Sequence, residues 1–260
     1  MARIDAFLKL GREQGCTDIH FAVGMPPLLR SLGELVPIKY RELTDQELES
    51  LIHEIIDTHQ KAQFENGSDI DFAYQSHEVG RFRVSLYRKT SGIGAAFRLI
   101  NTDIPSLDEL GMPPAVAKFI NTHQGLLLVT GATGTGKSTT LASMLDLLNS
   151  TRRLNIITLE DPIEHIHHSQ KSLVVQREVG THVDSFANGL RAALREDPDV
   201  ILVGELRDPE TILMAMTAAE TGHLVLGTLH TTSATKTIDR ILDATPTAQK
   251  AQASNFLAQH

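Results

Sequence analysis

The sequence predicts an α/β protein in two parts. A first part of about 100 residues mixes helix and strand; the second is built on a mainly parallel sheet. Three observations predict this. The second half alternates short apolar runs with helical patterns, as strands joined through helices do. The stretch "GATGTGKSTT", residues 131–140, sits between one such run and one such helix. In the first half, apolar residues alternate over residues 80–89 and recur at helical spacing over residues 45–57.

The elements follow in order. Residues 4–10 form a short helix on Ile4, Phe7 and Leu8. Residues 45–57 place Leu48, Leu51, Ile52, Ile55 and Ile56 on one helical face, with Thr44 or Asp45 as cap. The runs "DIDFAY", "GRFRVSLYRK" and "IGAAFRLI" are strands. In the second of these, Phe82, Val84 and Leu86 face a core, and Arg81 and Arg83 face away from it. The polar, proline-bearing residues 101–114 form a linker between domains 1–100 and 115–260. Beyond it, "GLLLVTG", "LNIITLE", "SLVVQRE", "DVILVGE" and "HLVLGTLH" are buried strands.

"GATGTGKSTT" fits the triphosphate-binding pattern G-x-x-x-x-G-K-[ST]. A strand leads into it and a helix, "STTLASMLDLLNS", leaves it. Gly131, Gly134 and Gly136 let backbone N–H groups turn inward around phosphate oxygens, and the helix N-terminus adds partial positive charge. Lys137 reaches the β- and γ-phosphates of ATP or GTP, and Ser138 ligates Mg²⁺. Thr133, Thr135 and Thr139 complete the expected nucleotide site.

Hydrolysis also needs a group that orients water. In "DVILVGELRDPE", Gly204 stands where an aspartate is usual, and Glu205 follows at the strand's tip as the candidate base. Glu160, Asp161 and Glu164 crowd another strand end. They hold Mg²⁺ or water, or they are acids at a helix start with Pro162 in its first turn. His230, with Thr231 and Thr232, senses the γ-phosphate or is structural. His165, His167, His168 and His182 have the spacing of neither a helix face nor a zinc set.

Composition removes other classes. A net charge of -8 argues against broad contact with nucleic acid or an anionic membrane. One cysteine, Cys16, leaves no disulfide within the chain and fits a reducing cytoplasm. No run of about 18 apolar residues predicts a membrane span, and "MARIDAFLKLGREQGC" does not read as a signal peptide.

Four stretches in order, "GATGTGKSTT", "ITLEDPIEHIH", "LRAALREDPDVILVGELRDPETI" and "TAAETGHLVLGTLHTTSA", resemble the signatures of the bacterial type II/type IV secretion ATPases. "TDIHFAVGMPPLLR" and "GRFRVSLYRKTSGIGAAFRLI" resemble that family's N-terminal domain. The resemblance implies a PAS-like α+β domain followed by a RecA-like P-loop ATPase domain. It implies a hexameric ring at the cytoplasmic, inner-membrane base of a pilus machine, docked on a platform protein. Glu205 is then the catalytic base, Glu160 and Glu164 belong to an acidic box, and His230 belongs to a histidine box. Arg81, Arg83 and Arg98 match arginines that approach the phosphates as the domains close on residues 101–114. Read without the family, Arg81 and Arg83 are a solvated strand face.

Lacking the four-cysteine zinc insert of extension ATPases, the sequence favours pilus retraction. The family's retraction ATPases continue in helices with an "AIRAS"-like motif, and the sequence ends before them at "NFLAQH"; a truncated chain or a naturally shortened relative is expected. The alternatives are a nucleotide-binding regulatory subunit assembling with a longer relative, an extension or type II secretion ATPase, a nucleic-acid motor, and a small-molecule kinase.

Overall fold

The computed structural model describes residues 2–100 and 103–259. Residues 101 and 102, the start of the expected linker, lie outside the described residues. The chain divides into two compact units, Met1–Thr102 and Asp103–His260.

The first unit runs α1 (Asp5–Glu13), β1 (Asp18–Ala22), β2 (Leu28–Ser31), β3 (Glu34–Pro37), α2 (Asp45–His53), α3 (Thr58–Glu65), β4 (Ile70–Ser76), β5 (Gly80–Lys89) and β6 (Gly92–Ile100). Its strands form one antiparallel sheet in the order β3-β2-β1-β6-β5-β4. One sheet face is apolar. Phe21, Phe82 and Phe97 are fully buried there and meet edge to face, Phe21–Phe97 at 5.4 Å and Phe82–Phe97 at 6.3 Å. Ile4 and Leu8 of the first helical turn region, and Leu48, Leu51 and Ile52 of α2, join the same core.

The helix expected over 45–57 ends at His53. Thr44 caps it with a reciprocal Thr44–Glu47 box. A second box follows: Gln60 N donates to Asp57 Oδ1 at 2.8 Å, and Asp57 N donates to Gln60 Oε1 at 3.0 Å. It starts α3, so Ile55 and Ile56 pack on the core from the turn between two helices.

The second unit continues with α4 (Pro114–Phe119), β7 (Gly125–Thr130), α5 (Lys137–Thr151), β8 (Asn155–Glu160), β9 (Leu173–Glu178), α6 (Phe186–Ala193), β10 (Val200–Val203), α7 (Pro209–Glu220), β11 (Leu224–Leu229), α8 (Ala234–Ala244) and α9 (Lys250–Gln259). All five expected strands form, in one parallel sheet ordered β7-β11-β10-β8-β9. A parallel sheet is covered on both faces, which is why its strands are near-continuous apolar runs. Against one face, Leu141, Met144, Leu145 and Leu148 of α5 meet Ile156, Val200, Leu202 and Leu226. Against the other, α6 to α9 bring Leu190, Ile212, Met216, Ile241 and Phe256 to Leu159, Ile201, Val203 and Val225. Leu107 and Met112, from the stretch expected as linker, pack into the α5 side of this unit.

Candidate nucleotide site

The parallel sheet places every candidate residue of the second unit at the carboxyl ends of its strands, where open α/β sheets bind ligands. β7 runs into the glycine loop, and α5 starts at Lys137. Gly134 and Gly136 have φ of +80° and +93°, values that other residues rarely adopt. These turns bend the loop so that it leads into the first N–H groups of α5, which have no partner within the helix. A Cβ on Gly131 would stand 2.6 Å from Thr135 Oγ1, so a side chain there would displace the Thr135 hydroxyl. Lys137 Nζ donates to the carbonyls of Gly131 and Ala132 at 3.1 and 3.0 Å, and lies folded across the loop. Beside it opens a cavity of about 550 Å³ lined by Met112, Val116, Phe119, Val129, Lys137 and Met144 among others. Thr133, Gly134, Thr135 and Ser138 are exposed along the loop, and Thr139 is half-buried.

Glu205 follows β10 through Gly204. A Cβ on Gly204 would stand 3.1 Å from the Leu159 carbonyl oxygen and 3.4 Å from Glu160 Cα. The neighbouring strand therefore leaves little room for a side chain at that place. Glu205 Oε1 accepts from Arg207 Nε at 2.6 Å and lies 3.0 Å from His230 Nε2, which follows β11. The carboxylate and the imidazole thus meet at the ends of adjacent strands.

Residues 161–172 form bends and irregular backbone with no helix, so the reading of Glu160, Asp161 and Glu164 as acids at a helix start is corrected. Three side chains replace regular structure as the support for this loop. Glu178 Oε2 accepts from Ile163 N at 3.0 Å. Gln176 accepts from His167 N at 2.8 Å and donates to the His165 carbonyl at 2.8 Å. Asn149 of α5 donates to the His168 carbonyl and accepts from Gln170 N, at 2.8 and 2.9 Å. Glu160 Oε1 accepts from Thr158 Oγ1 at 2.6 Å and from Gln176 Nε2 at 3.0 Å. Glu164 is half-buried.

In the first unit the arginines line one sheet face. Register sets Arg30 opposite Asp18, Asp18 opposite Arg98, and Arg98 opposite Arg83. Arg98 Nε donates to Asp18 Oδ1 at 2.8 Å. Burial opposes the charge on Asp18, but this hydrogen bond and the arginine's charge outweigh it and hold the carboxyl below its usual range. Arg81 is 7% exposed and donates to Gln75 Oε1 at 3.0 Å, so it is not part of a solvated face. Arg83 is half-buried and Arg98 is exposed. Like charges directly opposite each other, as at Arg83 and Arg98, are unfavourable without a counter-charge.

A family model described as "Type II/IV secretion system protein" matches residues 52–259. The chain belongs to the type II/IV secretion system protein family. It is 47% identical over 98% of its length to the "Type IV pilus retractation ATPase PilT" of Pseudomonas aeruginosa, spanning 74% of that protein. It is 47% identical over 90% of its length to the "Twitching motility protein" of Neisseria gonorrhoeae, spanning 62% of it. The solved structure "Pilus Retraction Motor PilT and Bound ADP" superposes with a TM-score of 0.94 at 44% identity, over 99% of this chain and 75% of that one.

The family's four sequence signatures thus fall on the loop after β7, the loop after β8, the end of β10 and the end of β11. Gln176, Glu178 and Asn149 were not legible as site residues. They lie two strand positions or a helix away from the acidic loop that they hold, and only the β8–β9 register, with Thr158 opposite Gln176, brings the polar row together. The buried imidazoles of His165 and His167 are each 9% exposed. Among the described residues no group of three or more His, Cys, Asp or Glu is arranged to hold a metal ion, and no helix is long and apolar enough to cross a membrane.

Proposed function

We propose that this chain is an ATP-hydrolysing motor subunit that drives retraction of a type IV pilus. It works in a hexameric ring at the cytoplasmic, inner-membrane base of the machine, against a platform protein there. The observation that carries the reading is the pairing of Glu205 with His230 on the strand ends of the sheet whose β7 leads into the glycine loop. A fold that only held nucleotide would need the loop alone. The names of the pilus relatives support the direction of work, and the net charge of -8 speaks against a nucleic-acid track.

In this reading Gly131, Thr133, Gly134, Thr135 and Gly136 wrap the phosphates with backbone N–H groups. Lys137 leaves the carbonyls of Gly131 and Ala132 for phosphate oxygens. An exposed Ser138 hydroxyl in the first turn of α5, together with phosphate oxygens and water, suits Mg²⁺, which keeps several waters and needs few protein ligands. The bound ion supplies neutralising charge at the β- and γ-phosphates. Thr139 follows Ser138 in the same turn of α5. Glu205 takes the proton of the attacking water, His230 holds that carboxylate in place until phosphate arrives, and Glu160 and Glu164 order water on the opposite side. Arg81, Arg83 and Arg98 present the positive row that neutralises the triphosphate as the two units close on residues 101–114.

The test is ATP turnover and light scattering on the purified chain. The expected outcome is Mg²⁺-dependent phosphate release that Lys137→Ala abolishes, from an ATP-dependent ring. Tight ATP binding without turnover, restored only by mixing with a longer relative, would instead identify a regulatory subunit.

A further inference from the structure

The acidic loop after β8 has no regular secondary structure, yet its backbone is held at several points. One side chain differs from the other supports because it touches both the loop and the candidate catalytic carboxylate. The Gln176 amide group donates from Nε2 to Glu160 Oε1 at 3.0 Å and to the His165 carbonyl at 2.8 Å. Its Oε1 accepts from His167 N at 2.8 Å. Both donor hydrogens and one acceptor lone pair are therefore used. Thr158 is fully buried and donates to the same Glu160 oxygen at 2.6 Å. With two donors on Oε1, the carboxylate's rotation is restricted.

We propose that Gln176, with Thr158, is a positioning residue that aims the Glu160 carboxylate and ties its orientation to the path of the 161–168 loop. The inference rests on the role given to Glu160 above. Gln176 does not touch nucleotide; it acts through Glu160. The amide suits this work better than a carboxylate or an aliphatic side chain of similar size. A glutamate would set a second negative charge against Glu160, and a leucine would remove the bonds to the His167 N–H and the His165 carbonyl and one of the two donors on Glu160 Oε1. Outer partners of this type, when removed, typically cost a functional carboxylate or metal ligand about 10–100-fold in affinity or activity.

The experiment compares the full chain with its Gln176→Leu, Thr158→Val and Glu160→Gln variants. It measures kcat for ATP, affinity for a fluorescent ATP analogue, and amide hydrogen exchange without nucleotide. Gln176→Leu is expected to lower kcat by about 10–100-fold with analogue affinity unchanged within about twofold. It also speeds exchange at the His167 amide. Thr158→Val lowers kcat in the same direction but leaves the His167 amide protected, which separates aiming of the carboxylate from support of the loop. In the Glu160→Gln background, Gln176→Leu adds no further loss. Should Gln176→Leu fail to fold, Thr158→Val decides. Wild-type kcat in Gln176→Leu, or in Thr158→Val, overturns the inference while Glu160 keeps its role if Glu160→Gln is impaired. A full, independent Gln176→Leu loss in the Glu160→Gln background also overturns it. Wild-type kcat in Glu160→Gln instead removes the underlying reading of Glu160.

Discussion

His230 Nε2 lies 3.0 Å from Oε1 of Glu205, across the gap between the ends of β11 and β10. The same oxygen accepts from Arg207 Nε at 2.6 Å. Glu205 is mostly buried, while His230 and Arg207 are exposed. The carboxylate is therefore held from the solvent side by two groups that can turn away, and its second oxygen remains for water.

Glu205→Gln keeps the size of the side chain and removes its basicity. Turnover is expected to fall by about 10²–10⁴, the usual worth of a general base, with ATP affinity unchanged. Single-turnover phosphate release alongside equilibrium binding checks it. Hydrolysis that survives the change would place the base elsewhere.

Gly204→Ala is expected to destabilise the second unit by about 1–3 kcal/mol, because the new methyl meets backbone that cannot swing aside. The contacts are the Leu159 carbonyl oxygen at 3.1 Å and Glu160 Cα at 3.4 Å. Urea unfolding measures the loss, and an unchanged midpoint would show that β8 and β10 separate easily there.

His167 gives the protein an acid-sensitive element. Burial, only partly opposed by Asp146, lowers its pKa to about 4. In the unfolded chain it titrates at its ordinary value of 6.5. Between these values the unfolded state binds more protons, so stability rises with pH. This contribution is complete above pH 6.5 and is lost as pH falls to about 4, to a total of about 3 kcal/mol. His167→Gln is expected to flatten the stability profile over that window; a slope equal to wild type would assign the acid sensitivity to other groups.

Arg81→Ala, Arg83→Ala and Arg98→Ala test the positive sheet face one charge at a time. If these arginines neutralise the triphosphate, each lowers kcat by more than about tenfold, and a finger-like arginine by up to about 10³–10⁵. Arg98→Ala also frees Asp18, whose carboxyl then rises toward its usual range, an effect visible by NMR titration. Turnover unchanged in all three would leave the first unit without a part in hydrolysis.

Local pattern made much of this protein readable. Runs such as "DVILVGE" and "HLVLGTLH" are apolar at nearly every position because a parallel sheet buries both faces, and each became a strand. The glycine loop is legible because its chemistry is contiguous: directly after a strand, positive-φ glycines, lysine and helix start follow one another in ten residues, "GATGTGKSTT". The short strands β1, β2 and β3 were harder, since four or five residues give too little alternation to reveal a period. The apolar spacing continues through Ile55 and Ile56 and predicts a helix over 45–57, whereas α2 ends at His53 and the Asp57–Gln60 box starts a new helix.

The order of side chains along the chain by itself determined the two-part α/β plan, the five parallel strands and the phosphate loop, because periodicity and contiguous motifs are properties of neighbours in sequence. The tertiary structure alone decided that Glu205 faces His230, that Arg98 faces both Asp18 and Arg83, and that Gln176 reaches Glu160 and the loop beyond it. Those pairings depend on strand register and on which strands lie side by side. Register is set by the burial of whole faces at once, and no single stretch of sequence carries it.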